Sequence, residues 1–260
     1  MPRRSALAVA LLATLGLACA AKTPPPTVED TPSAEDLFRK GNTLLEGRRV
    51  LGLIPLVDHG KAIESFQQIV DNYPYSDYAV LAEVKIADTY FDQEKYDEAL
   101  SYYRDFGDLH PQHELVPYTV YRAALCHYNQ AKSANRDQTA TRQALGFLDT
   151  LLSKYPSSPY AADGERMWKE LRTRLADHEL EIGDFYMGRA EYQSAADRYR
   201  DVLDKYPGLG LDADALYKLG VCYSKMNRTD EAKKIFEVIL KNYRGTDVAE
   251  SAADWVPSAN

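Results

Sequence analysis

Few side chains in this 260-residue chain stand where they could do chemistry. Its three cysteines are Cys19, Cys126 and Cys222. His110 and His113 make an H-x-x-H loop with His127 further on, but no cysteine lies beside them and no third ligand follows at zinc spacing, so no metal is expected. Asp212 and Asp214 have the opening spacing of a calcium loop. Tyr217 and Tyr223 then take the places that require Gly and Glu, and the loop fails. Phosphate-loop, dinucleotide, zinc-protease, nucleophile-elbow and CxxC motifs are all missing. No carboxylate pair is spaced for acid–base work, so the chain reads as a non-enzyme without a cofactor.

Cys19 is the thiol with a use. Arg3 and Arg4 precede an apolar run from Ser5 to Ala18, the layout of a secretory leader. The run is too short for the roughly 20 residues of a membrane-spanning helix. Leu15-Gly16-Leu17-Ala18-Cys19 resembles the lipobox of bacterial lipoproteins, with Gly16 in place of the usual aliphatic residue. The resemblance implies cleavage before Cys19 and acylation of it. Ala20 follows where inner-membrane retention would call for Asp, so the lipid anchor is expected in the outer membrane, on its periplasmic face. Four prolines, Pro24, Pro25, Pro26 and Pro32, then mark an extended tether.

The formal charge of -8, from 31 basic and 39 acidic residues, supplies no field for wrapping phosphates, so nucleic acid is excluded as a partner. A hydrophobic content of 45% fits a folded body rather than a disordered one. All nineteen tyrosines lie at or after Tyr73.

What must position any binding residue is an internal repeat. Ala is followed by a large residue four positions on, an apolar one at seven and Pro at twelve: Ala62, Phe66, Ile69 and Pro74; Ala99, Tyr103, Phe106 and Pro111; Ala144, Leu148, Leu151 and Pro156; Ala195, Tyr199, Val202 and Pro207. Ala232, Phe236 and Ile239 repeat it once more, with Arg244 in the Pro place. The spacing is one helical face closed by a helix breaker, as in the second helix of a tetratricopeptide unit. The first helices carry a small residue twelve positions before that Ala and a large one three further on: Ala87 and Tyr90, Gly183 and Tyr186, Gly220 and Tyr223. Gly41 with Leu44 fits after an insertion of about nine residues, and Ala124 with His127 after about eight.

The expected fold is therefore an all-α tetratricopeptide solenoid of five helix-turn-helix units. Its parts are a leader at 1–18, the tether at 19–33, repeats 1–3 at 34–157, a long connecting helix with repeats 4–5 at 158–245, and a C-terminal tail at 246–260. The segment 50–57 (VLGLIPLV) contains Pro55 and is expected as an apolar loop that packs on the solenoid or docks a partner. Cys126 and Cys222 fall at equivalent places two units apart, roughly 20 Å by helix stacking, so both are expected as buried, unpaired thiols.

First-helix residues line the concave wall of such a solenoid. The second unit offers Leu81, Val84 and Phe91 there, and the third Tyr118, Tyr121, Leu125 and Tyr128. The fourth offers the more polar Asp177, Leu180, Asp184 and Met187. Two readings stand side by side: an aromatic groove for an extended apolar peptide, or a wall covered by a neighbouring helix or an insertion.

From about Ala34 to Tyr243 the residues resemble the BamD/ComL family of outer-membrane β-barrel assembly lipoproteins. Tyr73-Pro74-Tyr75-Ser76-Asp77-Tyr78 is similar to its YPFGPY, and His110-Pro111-Gln112-His113 and Tyr121-Arg122 to its LHPTHP and YxRG segments. Arg136-Asp137-Gln138-Thr139 with Arg142 resembles its RDQT insertion, and Arg174-Leu175-Ala176 with His178-Glu179-Leu180 its RLAxHEL. Gly107 and Asp108 stand where the family often has Ile and Arg, Glu114 replaces Pro, and Ala124 replaces Gly. The resemblance implies a scaffold whose N-terminal repeats meet unfolded outer-membrane β-barrel proteins and whose C-terminal repeats dock BamA-type POTRA domains, with other assembly lipoproteins as further partners. By position Arg198 matches the family's partner-contacting arginine, with Arg189 a nearby candidate. The alternative is a tetratricopeptide lipoprotein for pilus or cell-envelope assembly.

Overall fold

The structure is a computed structural model that describes residues 31–50 and 54–256. The leader, Cys19 and most of the tether lie outside the described residues. Eleven helices and one hairpin follow in order among the described residues. They are α1 (Ala34–Glu46), β1 (Arg48–Val50), β2 (Ile54–Leu56), α2 (His59–Asn72), α3 (Asp77–Asp92), α4 (Tyr96–Leu109), α5 (Val116–Gln130), α6 (Thr139–Lys154), α7 (Ala161–Gly188), α8 (Tyr192–Lys205), α9 (Asp212–Lys225), α10 (Thr229–Asn242) and α11 (Asp247–Ala253). Each helix packs on the next in sequence, so the body Ala34–Val256 is a tetratricopeptide solenoid of five helix pairs closed by α11.

The repeat pattern works as a size lock. A Cβ added at Gly220 would come within 2.8 Å of the Phe236 ring, and one at Gly41 within 2.5 Å of the Phe66 ring. Gly183 likewise leaves room for the Tyr199 ring. Each small residue of a first helix thus admits the large residue that follows the signature Ala of the second helix. Phe66, Tyr103, Leu148, Tyr199 and Phe236 are accordingly all buried. The alanines Ala62, Ala99, Ala144, Ala195 and Ala232 are buried with them because the helices approach too closely for a larger side chain.

The two helices of units 2, 4 and 5 meet in a tight turn with one residue in the left-handed region, Glu94, Ala190 and Asn227, each at φ 59°. Units 1 and 3 carry their insertions at this turn. In unit 1 the insertion is a hairpin rather than the loop expected for 50–57, with Arg48 opposite Leu56, Arg49 opposite Pro55 and Val50 opposite Ile54. Val50 and Ile54 are β-branched, which favours a strand. In unit 3 it is the irregular segment 131–138.

Helix α7 runs for 28 residues without a break. Its first half packs Met167 and Leu171 on unit 3, and its second half places Leu180 and Gly183 against α8 and unit 5. Residues 246–256, expected as a tail, carry α11: Thr246 caps its first turn, Ala249 and Ala252 are buried, and Trp255 stacks on Phe236 at 5.3 Å. It covers the apolar end that the last pair would otherwise expose. Cys126 and Cys222 are buried and unpaired, and burial pushes each thiol up to about 12.

Candidate functional site

First helices of units 1 to 3 and the start of α7 together enclose a cavity of about 220 Å³. Its walls are Phe38 of α1, Leu81 and Val84 of α3, Leu115 and Tyr118 at the start of α5, and Tyr160 before α7, with Lys85 and Asp88 supplying the polar groups. Of the concave-wall residues read from the sequence, Leu81, Val84 and Tyr118 come together here. Leu81 is 37% exposed, so the cavity is open to a ligand.

The other four are occupied by the protein itself. Tyr121 stacks on Tyr160, centroids 5.3 Å apart. The Tyr128 hydroxyl donates to Glu170 of α7 at 2.8 Å. Leu125 packs into the core between α5 and α7. Phe91 lies beneath the Arg122 guanidinium, whose Cζ is 3.8 Å from the ring centroid, and meets Tyr96 edge-on. The long helix thus covers the lower wall of unit 3 and leaves the upper part open.

The polar floor is built around Asp88. Its Oδ1 accepts from the hydroxyls of Tyr103 and Tyr118, both at 2.7 Å, and Arg122 donates to the Tyr103 hydroxyl at 3.0 Å. Burial, reinforced by the Asp88 carboxylate, drives both phenols well above the usual tyrosine range, so both stay protonated donors. The same constellation recurs one long period later. Tyr199 donates to Asp184 at 2.7 Å, and Lys218 reaches the other oxygen of Asp184 at 2.8 Å. Asp214 stands in the second copy where Tyr118 stands in the first, and it pairs with Lys218 instead of closing an aromatic wall. The C-terminal wall is polar for that reason.

Phe38, Asp88, Leu115 and Tyr160 were not among the residues read from the sequence. Phe38 precedes Gly41 by three positions, as Val84 precedes Ala87, so the register contains the signal for it. Asp88 and Asp184 each precede their tyrosine by fifteen residues, a second readable spacing. Tyr160 has no such mark, because its place depends on how α7 starts.

Arg198 projects from α8 into a hollow of about 430 Å³ that it shares with Tyr186, Ser194, Asp197, Arg200 and Asp201. Its Nη1 donates to Glu179 of α7 at 3.0 Å, and that hydrogen bond holds the guanidinium above its ordinary range. Arg189 lies outside the hollow, paired with Glu191 at 2.9 Å and stacked near Phe185, a phenylalanine 59% exposed.

The two most specific sequence segments meet each other. Gln138, buried, donates from Nε2 to the carbonyls of Ser133, Ala134 and Arg136 and accepts from Thr141, which fixes the 131–138 segment. His178 then contacts the Ala134 carbonyl, and Arg174 reaches the Lys132 carbonyl at 3.4 Å. These residues tie the insertion to α7. His110 pairs with Glu83 at 2.8 Å, and His113 accepts the Leu115 N–H at 3.1 Å, so both hold the turn into α5.

The YfiO family, described as outer membrane lipoprotein, matches residues 53–252. The chain belongs to this family. Among curated relatives it is similar to the outer membrane protein assembly factor BamD of Xylella fastidiosa (strain 9a5c), with 29% identity over 80% of this chain and 73% of the relative. A protein of the same name from Caulobacter vibrioides is 27% identical over 92% of this chain and 76% of the relative. Among solved structures, the TPR2AB domain of yeast Sti1 in complex with pHSP90 aligns over 84% of this chain and 81% of that chain, with 13% identity and a TM-score of 0.46. The match to the YfiO family spans the second hairpin strand, every helix from α2 through α10 and most of α11.

Proposed function

We propose that this chain is a non-enzymatic scaffold in outer-membrane protein assembly, anchored through Cys19 to the periplasmic face of the outer membrane. In this reading the N-terminal cavity takes an apolar-aromatic segment of an unfolded barrel protein, and the Arg198 hollow receives a POTRA domain of a BamA-type partner. The observation that carries it is the open cavity bounded by Phe38, Leu81, Leu115, Tyr118 and Tyr160 in a chain of the YfiO family. An aromatic side chain entering there meets ring faces and aliphatic walls, while Lys85 and Asp88 supply the polar groups of the lining. The relatives' name, outer membrane protein assembly factor, supports the same assignment.

The experiment is a comparison in cells that depend on this chain. Leu81→Glu and Tyr118→Ala are expected to lower crosslinking of unfolded barrel proteins to the N-terminal repeats while leaving co-purification of the BamA-type partner intact. Arg198→Gln is expected to do the reverse. Normal barrel assembly after depletion of the chain would overturn the whole reading.

A further inference from the structure

On the second helices, away from the first-helix wall, a groove runs between α4 and α6 above α5. It consists of two adjoining cavities of about 410 and 420 Å³ that share Gln143. One α6 stripe, from Thr139 through Gln143, Gly146 and Phe147 to Thr150, forms one bank. Leu100 and Arg104 of α4 form the other, and Lys132 stands at one end.

Three independent features mark it as a site. The first is glycine where the fold has no need of it. Gly41, Gly164, Gly183 and Gly220 each leave room for a neighbouring side chain, whereas a Cβ at Gly146 would meet nothing within 4 Å. The same holds for Gly107, one turn beyond Arg104 on α4. A glycine inside a helix costs about 1 kcal/mol relative to alanine, and no internal contact offsets that here. The second is His127, which lines the groove floor 7% exposed and stacks on Phe147, and whose Nδ1 has no hydrogen-bond partner. That unpaired nitrogen is a standing cost beneath the groove floor. The third is charge. In a chain of net -8, the groove's cations Arg104 and Lys132 have no ion-pair partner among the described residues, while the carboxylate that lines it, Asp137, accepts from the Thr139 hydroxyl.

We propose that the α4/α6 groove is a docking site for an acidic amphipathic helix of a partner protein. Its apolar residues seat over Gly146 and Phe147, and its carboxylates pair with Arg104 and Lys132. A helix fits better than a strand because both banks are helices, whose backbone groups are already bonded. An extended chain would find no ladder there, whereas a helix brings its own hydrogen bonds. The stripe from Thr139 to Thr150 accommodates about three helical turns, and the bare glycines permit close helix approach.

The test places a photo-crosslinking residue at Gln143 in the full-length chain in its native envelope, with the exposed α10 position Val238 as control. The crosslinked segment is sequenced at residue level. The expected product is one segment with Asp or Glu and apolar residues at helical spacing, with yield reduced at least tenfold by Arg104→Glu and by Gly146→Leu. Reversing the partner's carboxylates to lysine should restore the yield with Arg104→Glu. Arg104→Gln and Gly146→Ala serve where a harsher variant lowers the melting temperature. A yield no greater than from Val238, a segment without acidic residues, or indifference to the charge of position 104 would overturn the proposal.

Discussion

Asp88 and Asp184 hold equivalent places but different loads. Asp88, with 22% of its side chain exposed, receives two tyrosine hydroxyls and faces Arg122 at 3.5 Å. Asp184, 50% exposed, receives one hydroxyl and a lysine that water already screens. Asp88→Ala strands the buried Tyr103 phenol, the half-buried Tyr118 phenol and the half-buried Arg122 guanidinium. It is expected to cost about 3 kcal/mol in urea unfolding, against about 1 kcal/mol for Asp184→Ala. The buried thiols and phenols also set a direction with pH. Cys126 and Cys222, raised from 9.0 to about 12, and Tyr103 and Tyr199, raised above 10.0, hold their protons in the folded state beyond the pH at which the unfolded chain releases them. Their contribution is therefore whole below pH 9 and is lost as the unfolded groups ionise above it. Melting temperature should fall from about pH 9 upward, less steeply in a Cys126→Ala, Cys222→Ala variant, and neither thiol should react with a disulfide reagent at pH 8 until the chain unfolds.

At the level of elements, the glycines divide into two sets that substitution can separate. Gly220→Ala drives a Cβ to 2.8 Å from the Phe236 ring and should destabilise by about 2 kcal/mol or more. Gly146→Ala meets open space and should stabilise by about 0.5–1 kcal/mol, with thermal unfolding as the measure of both. That interlock is why the repeat was legible: Gly183 and Tyr199, or Gly220 and Phe236, are sixteen residues apart and touch within one helix pair, so their sizes are recorded locally. The cavity was legible only in part. Leu81, Val84 and Tyr118 follow from helix register, but the loss of Tyr121, Leu125 and Tyr128 to packing depends on where α7 lies across unit 3, a contact up to 42 residues distant in sequence. The hairpin and α11 carry no repeat signature because each occurs once. The RDQT and RLAxHEL segments were conspicuous in sequence, yet only the structure brings them together through Gln138, His178 and Arg174.

The whole solenoid is a chain of nearest-neighbour contacts, so its stability is a sum of units and interfaces rather than of one central core. Helix α7 alters that sum by belonging to both halves: Leu171 lies in the cluster of unit 3 and Leu180 in the cluster of units 4 and 5. Loss of one end should therefore loosen the nearest pairs and fade toward α7. Truncation after Gly245 removes α11 and Trp255, exposing Phe236 and its neighbours on α9 and α10. Hydrogen exchange is expected to speed up in α9 and α10 by at least tenfold, less in α8, and not measurably in α2 to α4, whose contacts are untouched. Uniform acceleration along the chain would mean that α7 couples the halves into one cooperative unit, and the Arg198 hollow could then not respond to a partner independently of the N-terminal cavity.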